Sequence, residues 1–254
     1  MEINVSKDAV ELGKLVARVA AEIIRKVIEQ NGTANIVLAT GDSQVEMYKN
    51  LTNESLDWTK VVVFHLDEYI GLPESSPASF RKYLRERFLN IVGSVKAFYF
   101  INGEAEPLAE CRRLNESIVN YPIDLALVGI GENGHLAFND PPADFEIEEP
   151  YIVVSLDEKC RRQQTGEGWF KSLDEVPLQA ISMSIKQICS SKQIICSVPD
   201  SRKAQAVKDC LEGPVSNMFP ASILQSHSNC QCYLDKASSA LLDQSIVKTE
   251  QARS

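Results

Sequence analysis

Four short stretches of this 254-residue chain carry side chains suited to catalysis or binding. Asp67 and Glu68 follow directly on the apolar run TKVVVFHL. A carboxylate at the end of a buried strand, in a partly dry cleft, has a raised pKa and can take a proton from one carbon and return it to the next. On residue type alone such a pair more often just starts a polar loop. His135 is one of three histidines and lies in the glycine-flanked loop GENGH; an imidazole there can exchange protons near neutral pH or simply hold the loop by hydrogen bonds. In Thr40-Gly41-Asp42-Ser43 the glycine lets backbone N–H groups approach a phosphate and Ser43 adds a hydroxyl donor, whereas Asp42 would repel the anion unless turned away. Lys203 falls in the first turn of the helix introduced by PDS. A cation at a helix start can neutralise phosphate as a point charge; without such a ligand it is a solvated surface lysine.

The elements that must hold these residues follow from the apolar spacing. Ala9 to Ile28 has a helical period stopped by Asn31-Gly32, and helical patterns return over Ser43–Leu51, Ser79–Leu89, Glu104–Asn120 and Ser201–Leu211, with a short one at Ala237–Leu242. Between them stand the strand-like runs NIVLAT, TKVVVFHL, KAFYFI, IDLALVGIG, YIVVSL, AISMSI, QIICSV and CQCYL, with SILQS before the last. Continuously apolar strands alternating with amphipathic helices predict an α/β fold: a doubly wound, mostly parallel, Rossmann-like sheet with helices on both faces. No linker or repeat divides residues 1–254, so a single domain with a polar tail at 243–254 is expected. In such sheets ligands bind at the carboxyl ends of the strands, which is where ATGDS, DEY, GENGH and PDSRK fall.

Composition narrows the classes further. Lys and Arg number 26 against 35 Asp and Glu, a net charge of −9 with a pI near 5.0, so no nucleic-acid partner is expected. A hydrophobic fraction of 44% with 24% charged residues is that of a globular protein with a full core. The seven cysteines, at 111, 160, 189, 196, 210, 230 and 232, include no CxxC pair, so neither zinc nor a redox pair is indicated and reduced thiols of a cytoplasmic protein are expected. The polar start Met1–Asp8 does not look like a signal peptide, and no apolar run reaches the roughly 20 residues of a membrane span.

The stretches ATGDSQVEMYKNL at 39–51, FHLDEYIGL at 64–72, LVGIGENGHLAFNDP at 127–141 and PDSRKAQAVKDCLEGPVSNMFPASILQSH at 199–227, in this order, resemble the glucosamine-6-phosphate deaminase (isomerase) family, which shares its fold with 6-phosphogluconolactonases. The similarity runs from about residue 7 to about residue 242. It implies a metal-free, cofactor-free conversion of glucosamine 6-phosphate and water to fructose 6-phosphate and ammonia. By the same resemblance Asp67 is the general base, His135 opens the sugar ring with Asp140 orienting it, and Gly41, Ser43 and Lys203 hold the phosphosugar. Homo-oligomers are common in such enzymes, and self-association stays open.

Two departures stand out. Asn133 occupies a position where the family often has an acid, and Asp140 one where it commonly has Glu. The arginine that grips phosphate in the family has no clear counterpart in DEKCRRQQTGEGWF, where Arg161 and Arg162 are the candidates. A lactonase or isomerase acting on another phosphosugar, or a non-catalytic sugar-phosphate sensor, are the alternatives. The DEY stretch favours the deaminase, because lactone hydrolysis needs no transfer of a carbon-bound proton, and the core starts too early to leave room for a DNA-binding helix-turn-helix.

Overall fold

The computed structural model of the chain describes residues 1–246 and 248–249. In chain order the strands are β1 (Glu2–Ser6), β2 (Ala34–Leu38), β3 (Val61–His65), β4 (Asp67–Tyr69), β5 (Ala97–Tyr99), β6 (Leu125–Val128), β7 (Tyr151–Ser155), β8 (Gln179–Met183), β9 (Gln193–Val198), β10 (Cys230–Asp235) and β11 (Lys248–Thr249). The helices are α1 (Ala9–Asn31), α2 (Val45–Leu51), α3 (Phe80–Leu84), α4 (Asn90–Val92), α5 (Pro107–Ile118), α6 (Glu158–Gly166), α7 (Ile185–Cys189) and α8 (Ala204–Glu212).

Eight strands form one sheet in the order β11-β1-β10-β9-β6-β2-β3-β5, and each pairing in it is parallel. Successive residues of a strand face opposite sides, and the two cores follow that alternation. Ile36, Leu38, Val63, Leu125 and Leu127 pack with α1 and α2, while Val37, Phe64, Ala126 and Val128 pack with α5, α7 and α8. Both faces are covered, so the strands need no polar side, which is why they read as unbroken apolar runs. The chain moves outward from β2 to β3 and β5, then returns to the other side of β2 with β6. That reversal opens a crevice between the carboxyl ends of β2 and β6.

A second sheet was not expected from the sequence. β4, β8 and β7 pair antiparallel, so YIVVSL and AISMSI leave the parallel sheet. Leu66 joins the two sheets: its N–H donates to Leu38 O of the main sheet (3.2 Å), and its carbonyl accepts from Met183 N of the small one (2.9 Å).

Other expectations are corrected in detail. Ala237–Leu242 forms turns, not a helix, because Ser238 N donates to Asp235 Oδ1 (2.7 Å) and Ser238 Oγ accepts from Asp235 N (3.1 Å); such local bonds compete with helical ones. SILQS lies in a 3-10 segment, Pro220–Ser226, and the Ser79–Leu89 helix changes to a π-helical turn at Arg85–Leu89. Met1–Asp8 supplies strand β1, which pairs with β10 on one side. In the tail, β11 adds to β1, whereas residues 247 and 250–254 lie outside the described residues. No helix among the described residues is long and apolar enough to cross a membrane.

α1 and α2 meet at Gly13, where an added Cβ would stand 2.5 Å from Glu46 Cβ and 2.6 Å from its backbone carbon. Helix propensity alone favours alanine over glycine by about 1 kcal/mol. A clash with backbone cannot be relieved by rotating a side chain, so Gly13→Ala is expected to lower stability by about 1–3 kcal/mol in urea unfolding.

Candidate active site

The crevice at the strand reversal is a cleft of about 550 Å³, open mouth included, lined by Thr40 to Gln44, Asp67, Phe80, His135, Phe138 and Lys203 among others. Asp67, His135, Gly41, Ser43 and Lys203, from four distant parts of the chain, therefore share one cavity.

Asp67 reaches it because the strand turns into the small sheet at Leu66. Its carboxyl is buried beside the stacked rings of Phe80 and Phe138, whose centroids lie 5.6 Å apart. Among the described residues no donor or cation meets that carboxyl. Burial, helped by the neighbouring Glu68 charge, pushes its pKa up to about 8.

Glu68, one residue on, is treated oppositely. It accepts from the N–H groups of Tyr69 (3.0 Å), Phe80 (3.2 Å) and Arg81 (2.8 Å) and from Ser79 Oγ (3.0 Å), at the start of α3. Burial raises its pKa as well, and these donors pull the other way by favouring its charged form, a compensation that Asp67 lacks. His65 does not share the Asp67 environment. Its Nδ1 accepts from Ile101 N at 3.5 Å, and burial drives its pKa down to about 3, so it stays neutral.

The His135 loop is tied at several points. Gly131 N donates to His135 O (3.0 Å), Gly134 O accepts from Ala221 N (2.9 Å), and Asn139 Nδ2 donates to Leu136 O and Met183 O (2.8 Å each). His135 Nδ1 lies 3.2 Å from Asp140 Oδ1, in ion-pair range, with an angle that falls short of a formed hydrogen bond.

Asp140 and Asn133 stand behind the histidine, not in the cleft wall. Asn133 donates to Asp140 Oδ1 (2.9 Å) and Asp157 Oδ2 (3.0 Å), and its own Oδ1 accepts from His135 N (3.2 Å). Burial alone would raise the Asp140 carboxyl; its contacts with His135, Asn133 and the Asp157 N–H outweigh that and leave its pKa below the ordinary value. His135, Asp140 and Cys160 offer ligand atoms within 4.8 Å of one another, the set here that could hold a soft metal.

The Gly41 turn and Lys203 complete the lining of the cleft. Gly41 has φ +94 and begins the turn Asp42–Gln44, a conformation that glycine adopts without strain; its carbonyl accepts from Tyr83 OH (2.9 Å). Lys203 is buried, and burial lowers its pKa against the pull of Glu167 at 3.6 Å and Glu132 at 4.0 Å. Asp42 is raised by burial first and Glu167 second.

Arg161 is not part of the site. Its guanidinium donates to Leu173 O (2.6 Å) and Val176 O (3.2 and 3.3 Å), pinning the segment after α6. Arg162 is exposed and paired with Glu158. From the same helix the cleft receives Gln163, Gln164 and Glu167 instead, residues not singled out from the sequence. Their signal was present: Cys160, Gln163, Gln164 and Glu167 repeat at helical spacing on one face.

Residues 7–233 match the family model described as glucosamine-6-phosphate isomerases/6-phosphogluconolactonase. The chain belongs to this family. A glucosamine-6-phosphate deaminase of Lactobacillus delbrueckii subsp. bulgaricus is 36% identical over 243 residues, covering 95% of this chain and 100% of the relative. One of Oenococcus oeni is 37% identical over 246 residues, covering 95% and 99%. A solved monomeric glucosamine-6-phosphate deaminase superposes with a TM-score of 0.85 at 33% identity, over 95% of this chain and 100% of that one. The 6-phosphogluconolactonase of Trypanosoma brucei, at 18% identity and TM-score 0.78 over 95% and 98%, shares the fold.

The His135 ring rests on Gly131, where an added Cβ would lie 2.1 Å from Nε2 and 2.2 Å from Cε1. Gly131→Ala is expected to displace the imidazole and cut turnover on the order of 100-fold while leaving thermal unfolding nearly unchanged, since small misplacements cost about that much. Imidazole NMR resonances checked beside rates would report the displacement.

Proposed function

We propose that this chain is an amino-sugar-phosphate deaminase/isomerase, converting glucosamine 6-phosphate and water to fructose 6-phosphate and ammonia. The observation that carries the reading is a buried carboxyl without a partner, Asp67, in one cleft with a carboxylate-backed imidazole, His135. His135 takes the anomeric hydroxyl proton and delivers one to the ring oxygen, with Asp140 stabilising the imidazolium that forms between the two transfers. Asp67, as carboxylate, removes the proton from the second sugar carbon to give an enolamine, then returns it to the first carbon. The resulting imine at the second carbon adds water and expels ammonia, which balances the reaction.

Lys203 and the Gly41–Ser43 turn, which line the same cleft as Asp67, hold the phosphate. A carbon acid is weak, and a base whose own pKa is raised toward the working pH abstracts from it better than an ordinary carboxylate. Lactone hydrolysis would use a base to activate water but has no carbon-bound proton to move, and the relatives at 36–37% identity are deaminases, which favours the deaminase.

Two outcomes check this. Asp67→Asn is expected to lose about 10²–10⁴-fold in release of ammonia and fructose 6-phosphate from glucosamine 6-phosphate, with the substrate still bound. Because the raised pKa keeps Asp67 protonated and idle below it, kcat/KM is expected to rise with pH and level off near the value of about 8. A flat profile between pH 6 and 9 would remove Asp67 as the base.

A further inference from the structure

The cleft contains a carboxylate that the chemistry above does not use. Glu167 lines the cleft with its side chain only 4% exposed. Its Oε1 accepts from Gln163 Nε2 at 2.8 Å and lies 3.6 Å from Lys203 Nζ, and its Oε2 accepts from the indole N–H of Trp169 at 3.3 Å. Three donors from different side chains therefore converge on one carboxylate, in the manner of an anion socket already filled.

Lys203, with a side chain 3% exposed, lines the cleft with Glu167 at 3.6 Å and the more exposed Glu132 at 4.0 Å. A phosphate in contact with Lys203 would stand beside Glu167, and like charges at that spacing in a partly dry cleft repel strongly. The backbone around Glu167 permits it to leave. Gly166 and Gly168 flank it, Gly168 at φ +82, and no atom lies within 4 Å of where a Cβ would stand on either.

We propose that Glu167 is an internal stand-in for the substrate's phosphate, filling the Lys203 socket in the free protein and exchanged for the incoming phosphate monoester. This rests on the reading of Lys203 as the phosphate ligand. Exchange frees the Gln163 amide and the Trp169 indole N–H to donate to phosphate oxygens. It also makes Glu167 a specificity-determining residue. A dianionic phosphate outcompetes a monoanionic carboxylate for an ammonium, whereas a neutral sugar has nothing to displace it with and meets a closed socket.

The test is calorimetric titration of inorganic phosphate into the full chain and its Glu167→Gln variant, with KM for glucosamine 6-phosphate measured alongside. Removing the competing charge is expected to tighten phosphate binding by about tenfold or more and to lower KM, and Lys203→Gln is expected to abolish the phosphate heat in both backgrounds. Glu167→Ala serves in the same way if the glutamine variant does not fold. Phosphate affinity that is unchanged or weaker in the variants, or undetectable throughout, overturns the exchange. So does a raised KM with unaltered phosphate affinity, which would make Glu167 a ligand of the sugar. Phosphate binding needs no turnover: tightening in a protein that releases no ammonia would count against the deaminase and leave the exchange standing, and ammonia release without tightening would do the reverse.

Discussion

Two acidic residues adjacent in the chain have opposite surroundings, and the rest of the site depends on that difference. Glu68 is met by three backbone N–H groups and a serine hydroxyl; Asp67, buried as well, is met by none among the described residues. The cause is the strand switch at Leu66, which sends one carboxyl toward the start of α3 and the other toward the cleft. A carboxylate satisfied by several donors is stable and inert, whereas one in an apolar wall holds its proton until a substrate approaches. The aromatic wall of Tyr69, Phe80, Phe138 and Phe170 keeps it so.

The histidine loop obeys a different constraint, that of fixed position. An imidazole that delivers a proton to one oxygen and takes one from another cannot wander by an ångström. The His135 ring lies against a glycine, its backbone N–H donates to Asn133 Oδ1, and the loop is sewn to β8 through Asn139. Asn133 also holds Asp140 in place, so a neutral amide gives orientation at this position and leaves the charge to Asp140. The two halves of the site thus meet opposite demands: a carboxyl left without partners, and an imidazole fixed by a tied loop, a glycine under its ring and the Asp140 charge beside it.

Much of this could be read from residue types. Runs such as VVVFHL and LALVGIG name buried parallel strands because both of their faces must be apolar, and a glycine-flanked turn after each is enough to place DEY and GENGH at one end of the sheet. The antiparallel sheet could not be read that way, since YIVVSL and AISMSI have the same composition as parallel strands and only the direction of pairing distinguishes them. β1 escaped notice because this short strand turns just Ile3 and Val5 inward. Arg161 misled because charge type is visible in a sequence while direction is not: its guanidinium serves the carbonyls of Leu173 and Val176. Glu167 went unnoticed for the converse reason, as an acid is not what one seeks beside a phosphate, although its place on the Cys160–Gln163–Gln164 face marked it as turned inward.

The central claim is that burial without a partner keeps the Asp67 carboxyl protonated at neutral pH. It is tested most directly by 13C NMR of protein labelled at aspartate carboxyl carbons, titrated with pH and assigned by the signal missing from Asp67→Asn. One carboxyl resonance titrating near 8, absent from the variant, is the expected result. An Asp67 signal that titrates near 4, as an ordinary solvated carboxylate does, would contradict the account.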